Sequence, residues 1–182
     1  LAGVLDALPE ELMKVKGMGE HSATMLKLFP VVLGRYVEGR TGVGQIIHTV
    51  AEAGHVLAPY LYGAQNEMTY ILCLDAKEKL LGVRRLSEGN IRNSDVTIRR
   101  AAEECLALRA SFCYLAHNHV SGLALPSPED MNTTNVIRGA LEPLGVHLVD
   151  HLVFVEGELV SVQETVATGK PGGFRLVYPG QW

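Results

Sequence analysis

Residues 111–116 form a short, almost wholly apolar run that ends directly in the triplet His117-Asn118-His119. A run of this length is typical of a central strand that is buried on both faces of a sheet. Alternate side chains of an extended chain point the same way, so His117 and His119 are expected to project together from the strand end. A core strand that brings two imidazoles to one place constrains both the fold and the chemistry.

The segments around this strand alternate between β and α patterns. The predicted strands cover residues 68–74, 80–87, 146–155 and 159–162, and the predicted helices cover residues 97–108 and 128–144. The first two strands are expected to form a hairpin about a polar turn, and Ser127 is expected to cap the helix that begins at Pro128. The predicted fold class is therefore α/β, with a mixed sheet flanked by helices.

A small helical segment precedes this domain. Apolar residues recur at helical spacing across residues 1–37, except at a break over residues 16–19, and Pro30 is expected to kink or end the second helix. Residues 38–62 are interpreted as a connector that leads into a helix, and this helix is expected to include Ile46.

The main domain is assigned to residues 63–168. Residues 169–182, which are rich in Gly and Pro, are expected to form a loosely held tail.

Composition limits the function classes. The 182 residues carry a net charge of −4, so nucleic acid could be bound only through a local patch. No apolar run approaches the roughly 20 residues that cross a bilayer, and no signal peptide is visible, so no membrane partner is expected. The first residue is Leu, which suggests that the chain begins inside a longer protein. The widely spaced Cys73, Cys105 and Cys113 are interpreted as buried thiols in a reducing, cytoplasmic compartment.

A third candidate ligand follows the histidines. Asp130 lies one turn inside the helix after the loop, which can fold back over the strand end. Two imidazoles and a carboxylate are the usual protein share of a catalytic zinc site, with a fourth position open for water. Bound zinc lowers the pKa of that water to about 7. The sequence therefore predicts a Zn²⁺ site formed by His117, His119 and Asp130.

A zinc hydrolase also needs a base and a group that stabilises the oxyanion. The candidate bases are Glu67, at the start of the first strand, Glu78, in the hairpin turn, and Glu88, near the end of the second strand. The hydroxyl of Ser127 can point at a developing oxyanion.

The spacing His-x-His, seven residues, Ser, two residues, Asp, with a Glu upstream, resembles the JAMM motif of MPN (JAB) domains. Over residues 65–165 the chain is further similar to the RadC-like (UPF0758) family, which is described as DNA repair proteins. The matching positions are Glu67, Leu74-Asp75, His117-Asn118-His119, Ser121-Gly122, Pro126-Ser127, Asp130 and Asp150-His151.

The resemblance implies an MPN/JAB-like domain with a cytidine deaminase-like architecture, preceded by a partial helix-hairpin-helix in residues 1–37. It implies that zinc is held by the ligand set named above, that Glu67 is the general base and that Ser127 stabilises the tetrahedral intermediate. The implied substrate is a peptide or protein that is cleaved at a peptide or isopeptide amide bond. The chain departs from the family at Val120, where Pro is usual, and over residues 84–89 and 98–100, which bear on the substrate groove or on subunit contacts.

Two other functions remain open. The chain could be a non-catalytic DNA-associated or protein-interaction module that uses the MPN fold as a scaffold, or a zinc-dependent nuclease. The Gly17-Met18-Gly19 turn could present N–H groups to a DNA phosphate, with charge added by Lys14, Lys16 and Lys27, or it could be a plain turn between helices.

Several single residues also allow two interpretations. His151, next to Asp150, either orients a ligand imidazole or bonds locally. His21, His48, His55 and His147 are interpreted as surface or satisfied residues, and Arg92, Arg99 and Arg100 as a solvated helix face or the wall of an acidic-substrate groove.

Overall fold

The computed structural model describes residues 1–40, 42–62, 64–89, 94–120, 125–155, 157–170 and 172–175. The chain divides into two compact units, Leu1–Thr41 and Gly42–Trp182. The finer predicted boundaries, after residues 37, 62 and 168, stay predictions. Within the described segments, no helix is both long enough and apolar enough to cross a membrane.

The first unit is helical. It contains α1 (Ala2–Asp6), α2 (Pro9–Leu12) and α3 (Glu20–Arg40). Gly17, in the turn between α2 and α3, has φ +92°, a conformation that a residue with a Cβ rarely adopts. Pro30 was expected to kink or end the second helix. The helix does not end there, because α3 continues through Pro30 to Arg40. A proline removes one main-chain hydrogen bond, and the turns on either side of Pro30 keep theirs.

A six-stranded sheet organises the second unit. Its strands are β1 (Met68–Leu74), β2 (Leu80–Glu88), β3 (Phe112–Asn118), β4 (His147–Val155), β5 (Glu158–Ser161) and β6 (Gly172–Arg175), in the order β2-β1-β3-β4-β5-β6. The central pair β3 and β4 is parallel, and all other neighbours are antiparallel. The predicted hairpin of β1 and β2 and the predicted mixed sheet are confirmed.

Helices cover both faces of this sheet. Leu72 and Leu74 of β1 belong to the core cluster formed with α4 (Val50–Leu61), whereas Ile71 and Cys73 belong to the cluster formed with α5 (Ser94–Leu108) and α6 (Pro128–Leu141). Alternate residues of a strand point to opposite faces, so α4 lies on one face and the other two helices on the opposite face. The 3₁₀ turn Glu142–Leu144 and α7 (Val162–Thr168) complete the described helices of this unit.

The helix predicted from Ile46 onward begins later than expected. Ile46 instead forms an isolated bridge with Lys79, and α4 begins at Val50. The hydroxyl of Thr49 accepts from the main-chain N–H of Glu52, and the carboxylate of Glu52 accepts from the N–H of Thr49. This reciprocal capping box fixes the start of the helix, whereas apolar spacing alone also admits the preceding residues.

The C-terminal tail is partly ordered, in contrast to the expectation that it is loosely held. Residues 172–175 form β6, which pairs with β5 from Gly172 opposite Ser161 to Arg175 opposite Glu158. The open edge of β5 offers main-chain groups that require partners, and β6 supplies them. Residues 171 and 176–182 of the predicted tail lie outside the described residues.

The three cysteines are free and buried, as predicted. They lie in the core cluster on the face covered by α5 and α6, where Cys73 and Cys105 bring their sulfur atoms to 3.9 Å. Their environment is apolar, and they contribute to packing rather than to the polar site described below.

Replacing Leu148 by Ala tests this packing. Leu148 of β4 is fully buried against α5 and α6, so Leu148→Ala should lower the free energy of unfolding by about 2–5 kcal/mol. Leu106→Ala is the matched control, because Leu106 on α5 is 53% exposed and should change stability by no more than about 0.5 kcal/mol. Urea denaturation measures both variants, and equal losses would contradict the assigned core.

Candidate metal centre

Two histidines leave the central strand on one face. His117 lies inside β3, and the N–H of His119 donates to the carbonyl of Phe154 at 2.9 Å, so the extended pairing with β4 continues past the end of β3. Their side chains, two residues apart on extended backbone, point to the same face, and the ring centroids lie 4.8 Å apart. This face is the one covered by α5 and α6, because Leu115 packs there.

Asp130 reaches the histidines from the first turn of α6. Ser127 is the N-cap, as predicted, and it forms a capping box in which its hydroxyl accepts from the N–H of Asp130. The side-chain oxygens of Asp130 lie 3.1 Å from Nε2 of His117 and 3.4 Å from Nε2 of His119. The cap therefore fixes the carboxylate that the sequence assigned as the third ligand.

The ligand atoms of His117, His119 and Asp130 all lie within 4.8 Å of one another, so this group could hold a metal ion. Nε2 of His117 is buried and has no hydrogen-bond partner among the described residues. A buried polar atom without a partner is costly unless another group satisfies it, and a metal ion would do so. Two imidazoles and one carboxylate suit zinc among the common divalent ions.

The electrostatics favour an ionised Asp130. Burial alone would raise the pKa of this carboxyl, but the nearby imidazole of His117 and the hydrogen bonds from Ser127 outweigh burial and hold the pKa well below its usual range. The N-terminal end of a helix also favours a negative charge. Asp130 is thus a carboxylate at neutral pH, the form that a metal ion requires.

A third imidazole, from His151, lies behind the first two. Its Nε2 is 2.8 Å from Nδ1 of His117, which favours the interpretation that it orients a candidate ligand. Burial lowers the pKa of His151 well below its usual value, and the nearby His117 lowers it further, so the ring is neutral. The carboxylate of Asp150 accepts from the main-chain N–H of His151, from the hydroxyl of Ser161 and from the N–H of Gln163, and none of these bonds involves the imidazole ring.

A register shift in β4 turns His151 toward the site. Cys113 and Tyr114 of β3 pair with Leu148 and Asp150, so one residue of β4, Val149, is passed over. Leu148 points to the face of α5 and α6, and regular alternation would place position 150 there rather than 151. The extra residue reverses the alternation, as a β-bulge does, and His151 faces His117.

The three candidate bases lie in different surroundings. Glu67 is half-buried and lines the same pocket as His117, His119 and Asp130, and its carboxylate has no hydrogen-bond partner among the described residues. Glu78 contacts His48 beyond the far end of β1, and Glu88 is exposed and pairs with Arg85. Of these three, Glu67 alone lines the pocket.

The role of Asn118 was not predicted from the sequence. Its side chain accepts from the N–H of Met68 at 2.7 Å and donates to the carbonyl of Asn66 at 3.1 Å. Asn118 therefore holds the main chain on both sides of Glu67. The alternation of the strand shows only that Asn118 faces away from the two histidines, and its contacts with residues 66 and 68 depend on the pairing of β3 with β1.

Ser127 and Thr69 are two of the hydroxyl-bearing residues that line the pocket. Ser127 donates its hydroxyl hydrogen to Oδ2 of Asp130 at 2.7 Å, and its main-chain N–H donates to the same oxygen at 2.7 Å. Its predicted role at an oxyanion would require the hydroxyl to turn away from Asp130, and it stays a prediction. Thr69, which the sequence analysis did not single out, lines the pocket with a buried hydroxyl that has no partner among the described residues.

The other histidines are exposed, as predicted; they are His21, His48, His55 and His147. Arg99 forms an exposed ion pair with Glu103, and Arg100 donates to the carbonyl of Leu86, so neither lines the pocket. The third arginine of this predicted set, Arg92, lies outside the described residues, as do Ser121 and Gly122.

The chain belongs to the family of the RadC-like JAB domain, whose model matches residues 47–167. Curated relatives agree with this class. A UPF0758 protein of Xylella fastidiosa is 32% identical over 164 residues, which is 90% of this chain and 73% of that protein. A UPF0758 protein of Thermosynechococcus vestitus is 33% identical over 165 residues, which is 90% of this chain and 66% of that protein.

Replacement of Ser127 tests how Asp130 is held. Ser127→Ala removes the cap hydroxyl and should lower the free energy of unfolding by about 1 kcal/mol, because the first turn of α6 loses a hydrogen-bond acceptor. Ser127→Asn retains a capping side chain and should remain near the parent protein in urea denaturation. An alanine variant as stable as the parent would show that the capping box does not stabilise α6.

Proposed function

We propose that this protein is a zinc-dependent hydrolase of the JAMM type that cleaves a peptide or isopeptide amide bond in a protein or peptide substrate. The observation that carries the proposal is the convergence of His117, His119 and Asp130, with all ligand atoms within 4.8 Å. The unpartnered, buried Nε2 of His117 supports a metal over a purely structural polar cluster. Membership in the RadC-like JAB domain family supports the hydrolase class.

A bound zinc ion would polarise the amide carbonyl and make a nucleophilic water available near neutral pH. Within this chain, Glu67 is the proposed general base, which accepts a proton from the attacking water and passes it to the leaving amine. Three features support this role: its place on the pocket wall, a carboxylate with no hydrogen-bond partner among the described residues, and the hydrogen bonds of Asn118 to the flanking backbone. A base held in position needs little rearrangement to reach the reacting water.

Ser127 is the proposed hydrogen-bond donor to the oxyanion. If its hydroxyl turns toward the substrate, the main-chain N–H of Ser127 still holds Oδ2 of Asp130. Such a turn exchanges one charge-assisted hydrogen bond for another. The hydroxyl of Thr69, which has no partner in the part of the chain that the structure describes, provides a second donor in the same pocket.

The alternative is a non-catalytic DNA-associated or protein-interaction module, and it stays a prediction. One of the cations expected to favour DNA binding, Lys27, donates its ammonium hydrogens to main-chain carbonyls, among them that of Ala7 at 3.0 Å. The ammonium group of Lys27 is therefore already hydrogen-bonded within the helical unit. The expected helix-hairpin-helix, nuclease chemistry and cytoplasmic location also stay predictions.

The variant Glu67→Gln separates catalysis from metal binding. It should lower hydrolysis of peptide and isopeptide-linked lysine substrates by about 10²- to 10⁴-fold, because the neutral amide cannot accept a proton. Zinc content should not change. Glu88→Gln is the matched control, since Glu88 is exposed and pairs with Arg85.

Turnover numbers from a fluorogenic substrate panel, measured beside zinc content, give the comparison. Unchanged hydrolysis in Glu67→Gln would exclude this residue as the base. A zinc-loaded parent protein that cleaves none of the panel would favour the scaffold interpretation.

A further inference from the structure

A chain of three hydrogen bonds leads from the main chain of Asp130 to the ring of His117. The hydroxyl of Thr134 lies 2.6 Å from the carbonyl oxygen of Asp130 and 2.7 Å from Nδ1 of His151. Nε2 of His151 lies 2.8 Å from Nδ1 of His117. The side-chain members are buried, with Thr134 3%, His117 4% and His151 2% exposed. The chain thus connects one candidate ligand to another through the core.

The direction of the first two bonds follows from the carbonyl group. A carbonyl oxygen only accepts, so Thr134 donates its single hydroxyl hydrogen to Asp130. The oxygen of Thr134 can then only accept from His151, which must carry its proton on Nδ1. A neutral imidazole has one N–H, so Nε2 of His151 is an acceptor.

The same logic fixes the proton on His117. Because Nε2 of His151 accepts, Nδ1 of His117 must donate to it. In the neutral ring of His117, Nε2 then carries a lone pair, and this atom points at the carboxylate of Asp130 at 3.1 Å. A carboxylate has no hydrogen to donate to a lone pair, so Nε2 of His117 has no partner among the described residues, and a cation between the two groups would satisfy both.

We propose that Thr134 and His151 are positioning residues that set the tautomer of His117, so that its Nε2 is presented unprotonated to the metal ion. The main-chain carbonyl of Asp130 thereby determines the protonation of a second ligand. The inference rests on the proposed metal-binding role of His117. It adds Thr134 and His151, two residues outside the candidate ligand set. Such partners behind a metal ligand typically change metal affinity by about 10- to 100-fold.

The helix position of Thr134 allows a closely matched comparison. Thr134→Val removes the hydroxyl and keeps the shape of the side chain, and Thr134→Ser keeps the hydroxyl. Thr165 of α7 also donates to the carbonyl four residues earlier, that of Ser161 at 2.7 Å, and lies outside the histidine chain. Thr165→Val therefore reproduces the loss of a helix-internal hydroxyl bond without touching the site.

The first measurement reads the tautomer directly in the full, metal-free chain. Long-range ¹H–¹⁵N spectra of ¹⁵N-histidine-labelled protein at about pH 8, above the ordinary histidine pKa of about 6.5, distinguish a protonated from an unprotonated ring nitrogen. The spectrum of His117→Ala identifies the signals of His117. We expect protonated Nδ1 and unprotonated Nε2 in the parent, in Thr134→Ser and in Thr165→Val.

Thr134→Val should reverse this pattern. Without the hydroxyl, Nδ1–H of His151 loses its acceptor at 2.7 Å, so we expect the proton to move to Nε2 of His151, which then donates to Nδ1 of His117. The proton of His117 then lies on Nε2, where Asp130 accepts it. A parent protein with Nε2 of His117 protonated and Nδ1 bare, or an unchanged pattern in Thr134→Val, would overturn the proposal.

The second measurement is the zinc dissociation constant, from competition with a chromogenic chelator. Thr134→Val should bind zinc about 10- to 100-fold more weakly, whereas Thr134→Ser and Thr165→Val should remain within about threefold of the parent. Equal affinities for Thr134→Val and Thr165→Val would overturn the positioning role. If the parent binds no zinc, the proposed function fails, but the spectra of the metal-free chain still decide the tautomer. The two failures are therefore distinguishable.

Discussion

Two buried imidazoles, His117 and His151, lie on neighbouring parallel strands, and each must find partners for both of its ring nitrogens. Their mutual hydrogen bond satisfies one nitrogen of each ring, and Thr134 satisfies the second nitrogen of His151. Of the four ring nitrogens, only Nε2 of His117 lacks a partner among the described residues. It lies where His119 and Asp130 can share a metal ion with it.

Much of the candidate site could be predicted from the sequence, because its information is local. The alternation of a strand places His117 and His119 on one face, and a Ser-Pro start places Asp130 at a defined turn of a helix. These rules depend on neighbours in the chain and need no knowledge of distant contacts. The mixed α/β architecture followed in the same way from alternating strand and helix patterns.

The features that escaped prediction depend on contacts between distant residues. The β-bulge that turns His151 toward the site is visible only in the register of β4 against β3. The hydrogen bond between Asn118 and Met68 joins residues about 50 positions apart. The sequence alone does not distinguish Thr134 from other polar residues of α6, because its contact with His151 depends on where β4 lies. Similarly, the last strand formed because β5 offered it an edge, whereas its own Gly-rich sequence indicated a loose tail.

The central claim, that this site binds zinc, is tested most directly by elemental analysis of the purified chain after it has been loaded with zinc and desalted. The account predicts about one zinc ion per chain in the parent protein, and none in His119→Ala, because two remaining protein ligands hold the ion too weakly. His55→Ala, which removes an exposed histidine of α4, should retain the zinc. No zinc in the parent, or equal zinc in His119→Ala, would contradict the account.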